Sequence, residues 1–240
     1  PYRFIPSAIE QLNKGFTTFL NDNKVKFSDV KVYATPRRLA VIVGGLGNKT
    51  EDEEKIVKGP IAKVAFDEAG NLTKAGEGFA RKNNLSKEDL YIEDNYVHAK
   101  IVIKGKPIAE LLQENVPSIF MKLQGSHFMR WGYNDEKFSR PIKWIVSILD
   151  GNEVKIKIID KESSNHSRGH RFSTQDILIK HPDNYVEEMK KAHVIVDQAE
   201  RKRIIVEKAK EEAAKLGAVP YYTDDLLEEV TLQSQIGRAS

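Results

Sequence analysis

The segment VKFSDVKVYATPRRLAVIVGGL, residues 25–46, holds two runs rich in β-branched residues on either side of one turn. The runs occupy 25–33 and 39–46, and the turn-forming sequence TPRR lies between them at 35–38. Apolar runs of this length that flank a turn signal are typical of paired strands. The segment therefore predicts two neighbouring strands joined at Pro36.

Helical patterns surround this pair of strands. A first helix is predicted at 7–20, because Ile9, Leu12 and Phe16 recur on one face and Ser7 stands three residues before Glu10, which is the spacing of a capping box. Further helices are predicted at 73–84, 86–89, 107–116, 182–191 and 197–216. Further strands are predicted at 96–103, 143–149 and 154–159, and turns at 58–60 and 150–152. The polar segment 160–169 is expected to be an exposed loop.

Helices and strands are mixed without a regular β-α-β alternation, so the predicted fold class is α+β. Two halves are expected, residues 1–124 and residues 125–240, with the alternative that they share one core. Pro36 and Pro141 each precede an apolar run and lie 105 residues apart. This offset suggests two related strand–loop–helix halves.

Composition excludes several classes of protein. The chain has 240 residues, 40% hydrophobic and 30% charged, and its net charge of +3 is too small to indicate nucleic-acid binding by itself. Absence of cysteine excludes disulfides, thiolate nucleophiles and zinc sites that need sulfur. No apolar run approaches 18 residues and the first residues do not resemble a secretory signal, so we expect a cytoplasmic protein with no membrane partner.

Motifs for common chemistries are missing. The sequence has no phosphate-binding glycine loop and no metalloprotease motif. His166 and His170 form a His-x-x-x-His pair, but an exposed loop explains them better than a metal site. The serines beside them give no nucleophile arrangement. From the residues we therefore predict no catalytic residue and no metal ligand.

Basic residues cluster in predicted turns and at strand ends. The clusters are Arg37-Arg38, Arg130-Trp131, the group of Lys137, Arg140 and Lys143, and the group of Arg168, His170 and Arg171. Guanidinium groups suit phosphate oxygens, and aromatic residues such as Trp131, Tyr133 and Phe172 could stack on bases. The alternative is that these arginines stabilise the fold through ion pairs.

Three segments in a fixed order carry a family resemblance. They are YATPRRLAVIV (33–43), FMRWGYNDEKFSRPIKWIVSILDG (128–151), and SRGHRF (167–172) followed by DQAERK (197–202). Together they resemble the N-terminal region of the β subunit of the bacterial tetrameric glycyl-tRNA synthetase, over residues 1 to about 232. Residues 124–127 and the last eight residues, QSQIGRAS, depart from the pattern of that family.

The resemblance implies a division of labour. In this family the α subunit activates glycine with ATP and Mg²⁺, while the β subunit positions tRNA-Gly in an α2β2 assembly. The chain is then part of an ATP-dependent ligase, holds no cofactor and catalyses nothing alone. The candidates for tRNA contact, chosen by charge, loop placement and motif match, are Arg130, Arg140, Arg168, His170 and Arg171.

Two other functions stay open at this point. One is a hydrolytic, editing-like domain with His170 or His166 as the base, although glycine is small enough for a site to exclude larger amino acids sterically. The other is a structural module that joins parts of the assembly without touching tRNA.

Overall fold

The computed structural model describes residues 2–131, 135–172 and 176–235. It divides the chain into two compact units, of which the larger comprises residues 1–48 and 107–240 and the smaller residues 49–106. Helices and short strands are mixed in the larger unit, which confirms the α+β class. Within the described residues, no helix is long and apolar enough to cross a membrane.

The larger unit contains five helices and nine strands in its described residues. The helices are α1 (Phe4–Asp22), α4 (Ile108–Met121), α5 (Tyr185–Lys191), α6 (Gln198–Lys215) and α7 (Asp224–Gln233). The strands are β1 (Asp29–Thr35), β2 (Arg38–Gly44), β6 (Ile145–Val146), β7 (Ile148–Leu149), β8 (Asn152–Glu153), β9 (Lys157–Ile158), β10 (Lys161–Ser164), β11 (His166–Arg168) and β12 (Asp176–Leu178). The smaller unit contains α2 (Ala62–Ala65), α3 (Lys74–Lys82), β3 (Glu53–Ile61), β4 (Leu90–Glu93) and β5 (Tyr96–Ile103).

Helix α1 buries the face that its sequence pattern predicts. Leu12 and Phe16 are buried and belong to the main apolar core of the unit. The predicted capping box is wrong, because the helix begins at Phe4 and Ser7 lies inside it. The hydroxyl of Ser7 instead accepts a hydrogen bond from Gln11, one turn further along the helix.

Strands β1 and β2 form the predicted antiparallel pair. Thr35 lies opposite Arg38, so Pro36 and Arg37 make the connecting turn. Alternate residues of β1 face inward, where Val32 and Ala34 are buried. The tight turn places the first residue of β2 beside the last residue of β1.

Residues 145–178 form short strands rather than one long hairpin. β7 and β8 pair antiparallel around Asp150 and Gly151, which confirms the turn, but each strand has only two residues. The expectation of an exposed loop at 160–169 is wrong. β10 pairs with β6 and β9, and β11 pairs with β12, which satisfies the backbone groups of this segment. Ser163 and Ser167 within it are buried. Ser163, for example, donates to the carbonyl of Val154.

The smaller unit is a three-stranded antiparallel sheet in the order β3-β5-β4. Strand β5 has the predicted bounds, and α3 begins at Lys74, one residue after the predicted start, with the hydroxyl of Thr73 as its cap. The turn predicted at 58–60 is wrong, because these residues lie inside β3. Pro60 is accommodated there by a shift of register between Lys58 and Ile61.

The units do not coincide with the halves at 1–124 and 125–240, because residues on both sides of that boundary belong to the larger unit. One apolar cluster contains Leu12, Val116 and Leu123 together with Val154 and Ile156. Side chains from both sequence halves therefore contribute to one apolar cluster. Duplication of a strand–loop–helix unit stays a prediction.

Arg201 in α6 ties three parts of the larger unit together. Its side chain is fully buried, and burial lowers the pKa of the guanidinium to about 10, so that it stays charged at neutral pH. It donates to the carbonyls of Ala34 in β1, Thr231 in α7, and Ile195 and Val196 before α6, at 3.0, 2.8, 2.6 and 3.4 Å. These four carbonyls take the place of a carboxylate partner.

Replacing Arg201 by alanine should lower the free energy of unfolding by about 3 kcal/mol or more, because four buried carbonyls lose their donor. Urea denaturation monitored by circular dichroism measures this change. The neighbouring Lys202→Ala variant is the control, since Lys202 makes an exposed ion pair with Glu228 and should change stability by less than about 0.5 kcal/mol. Equal effects of the two changes would contradict the role of Arg201.

Candidate nucleic-acid interface

The turn between β1 and β2 places two adjacent arginines in opposite environments. Arg37 is exposed in the turn, whereas Arg38 starts β2 and is only 7% exposed. Because successive residues of an extended strand point to opposite sides, the change of environment follows from the start of the strand. Burial lowers the pKa of Arg38 to about 10, with a smaller contribution from Arg37.

Arg38 binds the segment that follows β11. One terminal nitrogen donates to the carbonyls of Arg168 and Gly169, both at 2.6 Å, and the other donates to the side chain of Gln235 at 2.8 Å. Its Nε is buried without a hydrogen-bond partner. The guanidinium also lies 5.4 Å from the ring centre of Trp144, a cation–π distance.

Packing fixes the direction of the segment 167–172. Ser167 is buried and its hydroxyl contacts the sulfur of Met189 at 3.6 Å. A side chain at Gly169 would lie 3.2 Å from Ala192, and the amide of His170 donates to the carbonyl of Ala192. Because Ser167 and Gly169 are buried, the side chain of Arg168 between them is exposed; Arg171, beyond the end of β11, is exposed as well.

The charges that act on His170 are all basic. Desolvation lowers the pKa of this histidine first, and Arg38, Arg37, Arg171 and His193 lower it further. We call Arg37, Arg38, Arg168, His170 and Arg171 the arginine corner. Within residues 2–131, 135–172 and 176–235, no ion pair joins these arginines to a carboxylate. No carboxylate in the described part of the chain therefore neutralises an arginine of the corner through an ion pair.

Two aromatic rings accompany the arginine corner. The guanidinium groups of Arg38 and Arg168 lie 5.4 and 5.6 Å from the ring centre of Trp144. Phe172 is 84% exposed. The guanidinium of Arg171 and the ring centre of His170 each lie 5.3 Å from the ring centre of Phe172. An exposed phenylalanine among cations offers a face on which an unpaired base can stack.

Three of the five predicted site residues lie together, namely Arg168, His170 and Arg171. Arg130 is separate and forms an ion pair with Asp135 at 3.6 Å. Arg140 is exposed, and its side chain makes no ion pair or hydrogen bond with the described residues. Among the aromatic residues that could stack on bases, Trp131 packs against the apolar core, and Tyr133 lies outside the described residues.

Sequence reasoning noted Arg37 and Arg38 as a basic pair but did not join them to the site, and it missed Trp144 and His193. The signal for the two arginines is their place in a tight turn, where at least one side chain must point outward. Their approach to residues 168–171 spans 130 residues and depends on the tertiary fold. His166, the other histidine of the predicted pair, contacts Asp176 at 3.0 Å across β11 and β12. Among the described residues, no group of three metal-ligating side chains occurs.

Comparison with known proteins decides the family. A family model described as "Glycyl-tRNA synthetase beta subunit" matches residues 1–234. The chain belongs to this family. Its matched region includes every residue of the arginine corner.

Curated relatives named "Glycine--tRNA ligase beta subunit" agree with this assignment. One from Clostridioides difficile is 35% identical over 236 residues, one from Limosilactobacillus reuteri 36% over 234, and one from Listeria monocytogenes 37% over 234. Each match covers 96% of this chain but 34% of the relative. The chain therefore spans about a third of the length of these relatives and corresponds to their N-terminal part. These relatives do not favour the alternative of a hydrolytic, editing-like domain.

Arg38→Gln should lower the free energy of unfolding by about 2 to 3 kcal/mol, because the carbonyls of Arg168 and Gly169 lose a charged donor. Arg37→Gln is the matched control, since Arg37 is exposed and should change stability by less than about 0.5 kcal/mol. Urea denaturation of both variants measures the difference. A stable Arg38→Gln variant would show that the buried contacts do not hold the corner together.

Proposed function

We propose that this chain is the part of a glycine–tRNA ligase β subunit that holds backbone phosphates of tRNA-Gly at the arginine corner. The observation that carries the proposal is the convergence of basic groups from the turn at 36–37 and the segment 168–171. Asp176 lies opposite Arg168 across β11 and β12 but contacts His166, and among the described residues no ion pair joins the exposed arginines to a carboxylate. A cationic site whose exposed arginines form no ion pair with the described residues suits a polyanionic ligand.

The parts of the corner have different roles in this proposal. Arg38 is buried and holds the segment 168–171 by its carbonyls, so it positions the site rather than contacting RNA. Arg37, Arg168 and Arg171 are exposed and can reach phosphate oxygens, which a guanidinium binds with two parallel hydrogen bonds. The ring of Phe172 would take an unpaired base beside them.

In this proposal the chain contributes to the ligase reaction by positioning the tRNA. Holding tRNA in one orientation converts a bimolecular encounter into an oriented reaction, and this can supply several kcal/mol of the barrier. The chemistry itself would take place on a partner α subunit in an α2β2 assembly, where ATP and Mg²⁺ would bind. The sequence has no phosphate-binding loop, and the proposal therefore assigns this chain no cofactor of its own. The assembly would work in the cytoplasm.

Three glutamine variants of the exposed arginines, Arg37→Gln, Arg168→Gln and Arg171→Gln, should each weaken binding of tRNA-Gly severalfold. Each should also reduce the slope of log affinity against log salt by about one unit, because one phosphate contact is lost. Filter binding or fluorescence anisotropy with the full-length subunit and its partner, over a series of salt concentrations, measures both quantities.

Arg203→Gln is the control for these variants, because Arg203 is also exposed but pairs with Glu207 at 3.0 Å. It removes the same charge and should leave affinity and slope nearly unchanged. Wild-type affinity in all three corner variants would contradict tRNA contact here and would favour a structural module that joins parts of the assembly.

Binding of a phosphate at the corner should raise the pKa of His170, whose value in the free protein lies below the ordinary 6.5. Because the pKa is higher in the bound state, binding takes up a proton, and affinity should rise as pH falls through the interval between the two values. NMR titration of His170 with and without tRNA measures the shift directly. His170→Ala should remove the pH-dependent gain, and an unchanged pKa on binding would place the ligand elsewhere.

A further inference from the structure

The connection between α6 and α7 exposes large apolar side chains to an unusual degree. Leu216, Val219 and Tyr221 are 84%, 89% and 93% exposed, and Leu226 and Val230 on α7 are 50% and 40% exposed. We call these five residues the α6–α7 tip. They lie within 15 residues of chain, whereas single scattered apolar residues are what an ordinary surface shows.

Helix α7 is apolar on two sides. Leu227 and Leu232 are buried on the side that packs within the larger unit. Leu226 and Val230, four residues apart, lie on one exposed face. A helix that is apolar on both sides is typical of an element covered on both sides. The described residues cover the side with Leu227 and Leu232, but they leave the side with Leu226 and Val230 exposed.

We propose that the α6–α7 tip is the docking surface for the part of the same β subunit that follows this region. The curated relatives are about three times as long as this chain, which corresponds to their N-terminal part. In those relatives the polypeptide continues after the matched residues, so a segment in the same position here would be tethered directly beyond α7, at a local concentration far higher than that of a separate protein. Near-complete exposure of three large apolar residues is typical of a permanent contact and not of a transient one.

The surface also indicates what the docking segment contains. Its centre must be apolar, to cover Val219 and Tyr221. Asp224 and Asp225 begin α7 beside them and are exposed, so lysine or arginine at the edge of the docking segment would complement the tip. The tip is separate in function from the arginine corner, and neither proposal depends on the other.

Cysteine labelling of the full-length subunit tests this proposal, because the chain has no cysteine of its own. Cysteines elsewhere in the subunit are replaced by serine, and Val219→Cys and Tyr221→Cys are each treated with a thiol reagent. Lys14→Cys is the exposed control and Ala8→Cys the buried control, both on α1. Both tip cysteines should react at least about tenfold more slowly than the cysteine at position 14 in the subunit alone.

Two results would overturn the proposal. Fast labelling in the subunit alone that becomes slow when the α subunit is added would assign the tip to the partner subunit. Fast labelling with and without the partner would show that nothing covers it. Hydroxyl-radical oxidation of native Tyr221 in the unsubstituted subunit provides a second readout, and we expect low oxidation of Tyr221. This readout needs no cysteine variant, so misfolding of a variant cannot affect it.

Discussion

The contact between the Arg38 guanidinium and two backbone carbonyls is the constraint on which the arginine corner depends. A buried charge without a partner is costly, and here carbonyl oxygens of residues 168 and 169 provide the compensation. A carboxylate would have neutralised the charge and with it the field at the surface. Carbonyl groups carry only partial charge, so the corner keeps most of its positive potential while the turn at 36–37 and the segment 168–171 are held together.

Arg201 shows the same chemistry with a different consequence. It too is bound by carbonyls, but its side chain is fully buried between β1, α6 and α7, whereas Arg38 binds the carbonyl of an exposed arginine, Arg168. The role of Arg201 is to fix helices to the β1–β2 pair. The two buried arginines therefore distinguish a contact that only stabilises the fold from one that also presents charged groups to solvent.

Local features of this fold could be predicted from the sequence, and long-range ones could not. The bounds of β5, the start of α3 near Thr73 and the pairing of β1 with β2 depend on residues near in sequence, which the pattern contains. Strand β3 was missed at Gly59-Pro60 because the register shift that tolerates proline involves β5, far along the chain. The site was predicted in part for the same reason. Arg168, His170 and Arg171 are neighbours in sequence, whereas Arg38 reaches them only through the tertiary fold.

Exposed charge and exposed apolar surface call for different explanations. Water solvates guanidinium groups well, so exposure of Arg168 and Arg171 costs little, and the corner can remain open until an anion arrives. Exposure of Val219 and Tyr221 costs free energy in water whenever the surface is open, at roughly 25 cal/mol for each Å². A reversible ligand site can therefore be built from the first kind of surface, while the second kind is tolerated only where a cover is always present. On this ground the corner suits the proposed ligand that binds and leaves, and the α6–α7 tip suits the proposed contact that stays covered in a full-length subunit.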